Sequence, residues 1–277
     1  MRPLFKIFVI LTSLSFTPPA FTAIASGGLS AFPKRVEFSS HQKNSVLNLT
    51  NNGNKTTKYR IQLVDFIHDK KGNLQAIPTT KLPPNYHSAK KIVRYSPRQI
   101  TIRPGESQAI RLLVRRSRNL AEGEYRSFIY FQALPDKQKT ANNIQTLTQS
   151  DTDSVHITPI VLQSLALPIV VQQGKLSANA QIKTLTLIRE DPKNPSIKLH
   201  LSRSGNRSLY GEVEIKQGDK TVGLAKGLTL YNPYKERTFN VPLDADKLQS
   251  GEILTVTYRG LDRDAGTTFA TGEIIVP

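Results

Sequence analysis

The sequence contains no cysteine. Disulfide bonds and metal sites built on thiolates are therefore both excluded. An exported fold of this composition must be held by burial of apolar side chains and by sheet hydrogen bonds alone.

Hydrophobic runs long enough to span a membrane are also absent. The N-terminal run covers residues 7–16, and a spanning helix needs roughly twenty apolar residues. This run follows a basic start and precedes the small residues Ala23 and Ala25, a pattern typical of a secretory signal peptide. We predict a signal peptide over residues 1–25, an exported mature chain and no membrane insertion. An N-terminal membrane anchor is the alternative, and the short run disfavours it.

Acidic residues are few. The 38 lysines and arginines outnumber the 21 aspartates and glutamates, and the formal charge of +17 falls to +15 if Arg2 and Lys6 leave with the signal peptide. Such an excess favours acidic partners or surfaces. No nucleic acid partner is expected, because the chain is predicted to be exported and its basic residues are dispersed along strands. A solvated basic surface is the simpler interpretation.

The mature chain does show alternation of apolar and polar residues with a period of two, which indicates half-buried strands. Examples are residues 59–63, 110–114, 197–201, 213–215 and 254–258. Glycine- and asparagine-rich turns separate about fourteen such segments, and no amphipathic helix is evident. We predict an all-β fold of two immunoglobulin-like, seven-stranded β-sandwich domains, over residues 26–174 and 175–277. A single large barrel fits less well, since nothing makes the strands similar in length.

One strand needs cover on both faces. This strand is predicted over residues 155–171, whose middle is apolar on both faces. The preceding residues 136–154 are polar and without alternation, so we predict a mobile loop there. Pro159 would be poorly tolerated in a central strand, which favours a sheet edge for the first half. A long apolar edge strand is an aggregation hazard unless a partner covers it. An ordinary central strand remains the alternative.

No motif for catalysis is recognisable. The five histidines lie far apart and outside zinc-binding patterns. Ser40 and Lys43 have the Ser-x-x-Lys spacing, but that motif works from a helix N-terminus and these residues lie between two strands. We therefore predict no catalytic residue, no metal site, no cofactor and no enzymatic activity.

Five segments of the chain match the pattern of a known family. Each match is weak by itself, but the order and spacing of the five together are more specific. They are residues 32–38, 46–51, 95–111, 124–131 and 165–174. The first contains an arginine, the second ends in asparagine, and the third has a Pro, Pro-Gly, Gln and Arg spacing. Together they resemble the periplasmic pilus-assembly chaperones, the PapD-like family, over most of the mature chain and more firmly in its first domain.

The resemblance implies two domains set at an angle, with a subunit site in the cleft and along the seventh strand of the first domain. In this family a chaperone strand completes a pilin subunit that lacks its own last strand. Arg35 matches the family arginine that binds the subunit's terminal carboxylate, and such a directional pair suits a fixed register. A surface arginine at a strand start is the alternative. The expected donor residues are Ile160 and Leu162, extended by Val155 and Ile157.

The family's second anchor, a lysine in the seventh strand, has no counterpart here. Alignment puts Leu167 or Pro168 at its position. Either another cation such as Lys34 or Arg94 contributes, or the chain belongs to a divergent, non-classical or archaic branch. The Leu-Pro-Ile-Val-Val ending of the strand favours the divergent branch.

The function implied by the resemblance is that of a periplasmic chaperone. It would bind pilin (fimbrial) subunits by donor-strand complementation and deliver them to an outer-membrane usher. A secreted two-domain adhesin or surface binding module is the alternative. That alternative requires neither a pilin nor residues 155–162.

Overall fold

The computed structural model of the chain describes residues 28–69, 73–135 and 164–277. The all-β prediction is confirmed for this part of the chain, which forms eighteen strands and three short 3-10 helices. The strands are β1 (Leu29–Phe32), β2 (Val36–Phe38), β3 (Asn44–Asn51), β4 (Thr57–His68), β5 (Leu74–Ile77), β6 (His87–Ser88), β7 (Val93–Ser96), β8 (Gln99–Ile102), β9 (Ser107–Val114), β10 (Gly123–Leu134), β11 (Leu165–Gln173), β12 (Ala178–Ile188), β13 (Ser196–Gly205), β14 (Leu209–Gln217), β15 (Lys220–Leu230), β16 (Glu236–Pro242), β17 (Ile253–Gly260) and β18 (Thr268–Ile275). The 3-10 helices are Thr79–Lys81, Ala245–Lys247 and Asp262–Asp264. Within these described ranges, no helix has the length and apolar character needed to cross a bilayer.

The N-terminal sandwich comprises β1 to β11. One sheet has the order β1-β3-β9-β7, and the other β2-β11-β10-β4-β5, with β6 beside β10 and β8 beside β4. In β9 the predicted alternation is observed, because Ile110, Leu112 and Val114 are buried while Arg111 is exposed. The inner faces of both sheets form one hydrophobic core.

The first strand predicted from the sequence, over residues 32–38, is divided between the two sheets. β1 pairs antiparallel with β3, whereas β2 pairs parallel with β11. Residues 33–35 carry the chain from one sheet to the other. Divisions of this kind explain why the N-terminal sandwich has more strands than the seven predicted.

The C-terminal sandwich comprises β12 to β18, in sheets of order β12-β13-β16 and β15-β14-β17-β18. Its core includes Leu199, Val213, Val241 and Tyr258. These side chains come from strands of both sheets, so the second unit is also a two-layer β structure around one core.

The two sandwiches are joined by residues 174–177, between β11 and β12. Gly174 has a φ of +80°, and a Cβ atom there would lie 2.4 Å from the Glu122 side chain. Only glycine fits this turn without strain. The Ser40 hydroxyl donates a hydrogen bond to the Gly174 carbonyl oxygen at 3.1 Å.

Candidate anion site between the two sandwiches

Arg35 lies in the segment between β1 and β2, but its side chain is not at the surface. The residue is only 7% exposed, so the alternative of a surface arginine is wrong. Its Nε donates a hydrogen bond to Oε2 of Glu37 at 3.4 Å. Its Nη1 is buried and has no hydrogen-bond partner among the described residues.

Two tyrosines of the C-terminal sandwich lie against the Arg35 guanidinium. The distance from its Cζ is 5.1 Å to the ring centroid of Tyr210 and 6.0 Å to that of Tyr231, both within cation–π range. Burial by itself lowers the pKa of Arg35, but the neighbouring Tyr231, Glu37 and Glu124 raise it overall. The side chain therefore remains cationic in the cleft between the sandwiches.

Arg126 of β10 is a candidate site residue that the sequence analysis missed. It is 2% exposed, and its Nε, Nη1 and Nη2 atoms are all buried without a hydrogen-bond partner in the described part of the chain. Its Cζ lies 3.9 Å from the ring centroid of Tyr231 and 4.8 Å from that of Tyr86. The available signal was an arginine inside a strand segment, residues 124–131, that is otherwise rich in aromatic residues.

These two arginines, which we call the arginine pair, both contact the ring of Tyr231. An unmade hydrogen bond at a buried donor costs about 1–3 kcal/mol. A desolvated cation–π contact stabilises the guanidinium charge by about 2 kcal/mol. It does not use the N–H donors, so several donors of the pair stay without a hydrogen-bond partner among the described residues. A carboxylate matches the guanidinium fork and would supply the missing acceptors. The arrangement therefore offers unpaired donors that suit a planar, bidentate anion.

The outer edge of β11 ends next to Arg35. On this edge β11 pairs with β2 only from Ile169 to Val171, with Val36 opposite Ile169. In the described residues, Leu165 to Pro168 have no strand on that side. Arg35 immediately precedes Val36, so it stands where the open edge of β11 stops.

Arg126 and the outward side chains of β11 share one face of the sheet. Leu167, Ile169 and Val171 belong to the core of the N-terminal sandwich. Val170 lies on the opposite face, and it is paired in register with Arg126. Since paired residues of antiparallel strands point to the same side, the even-numbered positions of β11 face the cleft side.

The predicted donor residues Val155, Ile157, Ile160 and Leu162 all lie outside the described residues, as does the predicted loop of residues 136–154.

The cations considered for the missing second anchor are both exposed, and one of them, Lys34, directly precedes Arg35. Leu167, at the position of the family lysine, is buried in the core. Lys34 is exposed, and Arg94 is exposed on β7, in the sheet that does not contain β11. Arg126 instead contacts the same tyrosine ring as Arg35. No cluster of three or more potential metal ligands exists among the described residues.

No family model matches this sequence, and the comparison with curated proteins found no match. The similar solved structures include a chaperone–tip adhesion subunit pre-assembly complex, CsuC–CsuE, from archaic chaperone-usher Csu pili of Acinetobacter baumannii. That match has 13% identity and a TM-score of 0.45 over 89% of this chain and 98% of that chain. The CupB2 chaperone of Pseudomonas aeruginosa has 10% identity and a TM-score of 0.43, over 89% and 100% of the two chains. The E. coli chaperone DraB has 12% identity and a TM-score of 0.42, over 91% and 97%. Identities this low and TM-scores below 0.5 do not assign a function.

Proposed function

We propose that this chain is a periplasmic chaperone for pilin (fimbrial) subunits. It binds a subunit by donor-strand complementation and passes it to an outer-membrane usher. The segments that resemble the PapD-like family support this proposal, and so does the buried arginine pair in the cleft. The predicted signal peptide of residues 1–25 accounts for export to the periplasm.

The observation that carries the proposal is the position of Arg35 at the end of the open edge of β11. β2 runs parallel to β11 and occupies this edge from Ile169 onward. A subunit strand that adds to the free part of the edge in the same direction must stop where β2 begins. Its last residue then lies beside Arg35, so the terminal carboxylate is the group that meets the arginine pair.

This geometry predicts a register for the donor strand. Leu162 is seven residues upstream of Ile169, which corresponds to about 23 Å along an extended strand. The subunit residues opposite the donor side chains therefore lie about seven positions before the subunit's carboxyl terminus. Each apolar donor side chain that enters a subunit groove contributes roughly 1.5–3 kcal/mol.

The two predicted domains have different roles in this proposal. The N-terminal domain of residues 26–174 supplies the donor strand and both arginines. The C-terminal domain of residues 175–277 supplies Tyr210 and Tyr231, which contact the arginines. A site that draws on both domains requires the two to be held in a defined arrangement.

The test is capture of subunits in the periplasm of the source bacterium. We expect tagged wild-type protein to co-purify with pilin subunits identified by mass spectrometry, and Arg35→Met to lose them. Arg111→Met is the matched control, because Arg111 is exposed on β9. If Arg35→Met is folded and retains as much pilin as the control, the carboxylate anchor is wrong. If the wild type carries no pilin while pili are being assembled, the chaperone function is wrong.

A further inference from the structure

One aromatic ring of the C-terminal sandwich contacts both members of the arginine pair. Tyr231 follows β15 directly, and its ring centroid lies 3.9 Å from Cζ of Arg126 and 6.0 Å from Cζ of Arg35. The same ring is stacked on His68 at 5.5 Å and lies edge-on to Phe128 at 6.1 Å. Tyr231 is 7% exposed, and all four of these neighbours belong to the N-terminal sandwich.

A ring stacked on a guanidinium stabilises the cation without using its hydrogen-bond donors. The attraction comes from the electron-rich face of the ring, whereas the N–H groups point outward in the plane of the guanidinium. This explains how Arg126 is buried although none of its three nitrogen atoms has a hydrogen-bond partner in residues 28–69, 73–135 and 164–277. Tyr231 therefore partly replaces an anion as the partner of the two cations.

The same burial means that an anion cannot reach these nitrogen atoms while every covering group stays in place. The backbone beside Tyr231 is fixed, because the Asn232 N–H donates a hydrogen bond to the Ser208 hydroxyl at 2.8 Å. A rotation of the Tyr231 side chain is thus a smaller change than a movement of the whole loop.

We propose that Tyr231 is a stand-in ligand, which holds the arginine pair in the free protein and gives way when a carboxylate binds. This inference rests on the proposed function, since it takes the subunit's terminal carboxylate as the ligand. It adds a residue of the C-terminal sandwich to the subunit site. Carboxylate binding then changes a contact between the two sandwiches.

The absence of tryptophan from the sequence allows a direct test. Tyr231→Trp keeps an aromatic ring against the arginine pair and introduces the only tryptophan of the protein. The probe is an N-acetylated hexapeptide of alternating valine and threonine with a free terminal carboxylate, and its control is the same peptide with a terminal amide. We expect the carboxylate peptide to shift the tryptophan emission to longer wavelength, and the amide peptide to leave it unchanged.

Tyr234→Trp is the matched control variant. Tyr234 lies in the same loop as Tyr231 and also contacts His68. Among the described residues, its ring is not within cation–π distance of Arg35 or Arg126. Its emission should stay constant. If calorimetry shows that the carboxylate peptide binds to Tyr231→Trp while the emission does not change, the ring stays in place and the inference is overturned. If wild-type protein does not prefer the carboxylate peptide to the amide, the proposed anchor fails and the inference fails with it.

A second variant separates a stand-in from a residue that merely positions the arginines. Tyr231→Leu removes the ring but keeps an apolar side chain. We expect it to bind the carboxylate peptide at least threefold more tightly than wild type, because the two cation–π contacts made by Tyr231 no longer have to be broken first. Tyr231→Phe should bind as wild type does. Weaker or unchanged binding by Tyr231→Leu would overturn the stand-in role.

Discussion

Glu124 and Ser208 join the two sandwiches through a buried carboxylate. The Ser208 N–H donates a hydrogen bond to Oε2 of Glu124 at 2.6 Å, and the Ser208 hydroxyl donates a second to Oε1. Glu124 lies on β10, two residues from Arg126, and Ser208 directly precedes β14. An ion pair crosses the same junction, from Nη1 of Arg263 to Oε1 of Glu37 at 3.2 Å. Both contacts fix the C-terminal sandwich, which carries Tyr231, against the N-terminal sandwich, which carries the arginine pair.

The first prediction concerns this buried carboxylate. Glu124→Gln removes the charge and brings an amide donor close to the donors of Ser208, so one or both hydrogen bonds are lost. Because hydrogen bonds to charged groups contribute about 1.5–3 kcal/mol, we expect the free energy of unfolding in urea to fall by about 2 kcal/mol. Glu122→Gln, at an exposed position two residues away, should change it by less than about 0.5 kcal/mol. Equal stability of the two variants would show that the contact is not energetically important.

The second prediction concerns the stability of the empty site. Arg126→Met replaces a buried guanidinium, which has no hydrogen-bond partner among the described residues, by an apolar side chain of similar length. Replacing buried charged groups in this way is often neutral or stabilising by about 1–4 kcal/mol. We expect Arg126→Met to unfold at the same or a higher urea concentration than wild type, and to lose pilin capture. A stability loss of more than about 1 kcal/mol would mean that the cation–π contacts outweigh the desolvation of the charge.

The third prediction concerns pH. Burial, followed by the charges of Arg237 and Arg126, lowers the pKa of His68 from 6.5 to about 4. Between these two values the unfolded chain binds a proton that the folded chain does not, so stability falls as the pH decreases through this window. We expect the melting temperature of wild type to drop more between pH 6.5 and pH 4 than that of His68→Gln. Parallel curves for the two proteins would show that His68 does not contribute.

The strands and cores could be predicted because alternation is a local property. Each apolar residue of the pattern at Ile197, Leu199 and Leu201 is buried, as expected for one inward face. The divided first strand was not predicted, since which sheet a short segment joins depends on partners far away in the sequence. Thus the strand predicted over residues 32–38 contains β2 and the last residue of β1, although β1 pairs with β3 and β2 pairs with β11.

The candidate site was only partly predictable for the same reason. Arg35 was identified through a resemblance, not through its environment. Arg126 and Tyr231 are 105 residues apart, and nothing in either local pattern shows that they touch. An arginine in a strand normally faces solvent, and here that face is covered by a loop of the other sandwich. Only the packing of the two units indicates that both residues belong to one site.

The last prediction concerns the donor strand, whose residues lie outside the described ranges. The odd-numbered residues Leu167, Ile169 and Val171 of β11 face the core. If this alternation continues upstream, Ile160 and Leu162 face the subunit. The double variant Ile160→Asp with Leu162→Asp should then fold and melt as wild type does. Its subunit partner should be degraded or aggregate, because two carboxylates would enter an apolar groove.

Val161→Asp is the matched control for this face assignment, since it introduces the same charge between the two donor positions. Continued alternation points Val161 toward the chaperone's own core, so this variant should lower the melting temperature of the free protein. The measurements are thermal unfolding of each purified variant and the level of soluble pilin in the periplasm. If the double variant unfolds and Val161→Asp does not, the alternation is interrupted between these residues and β11. Ile160 and Leu162 then face the chaperone core, and Val161 faces the subunit. If both variants keep the pilin soluble, residues 155–162 do not complete the subunit, and the donor-strand proposal is wrong.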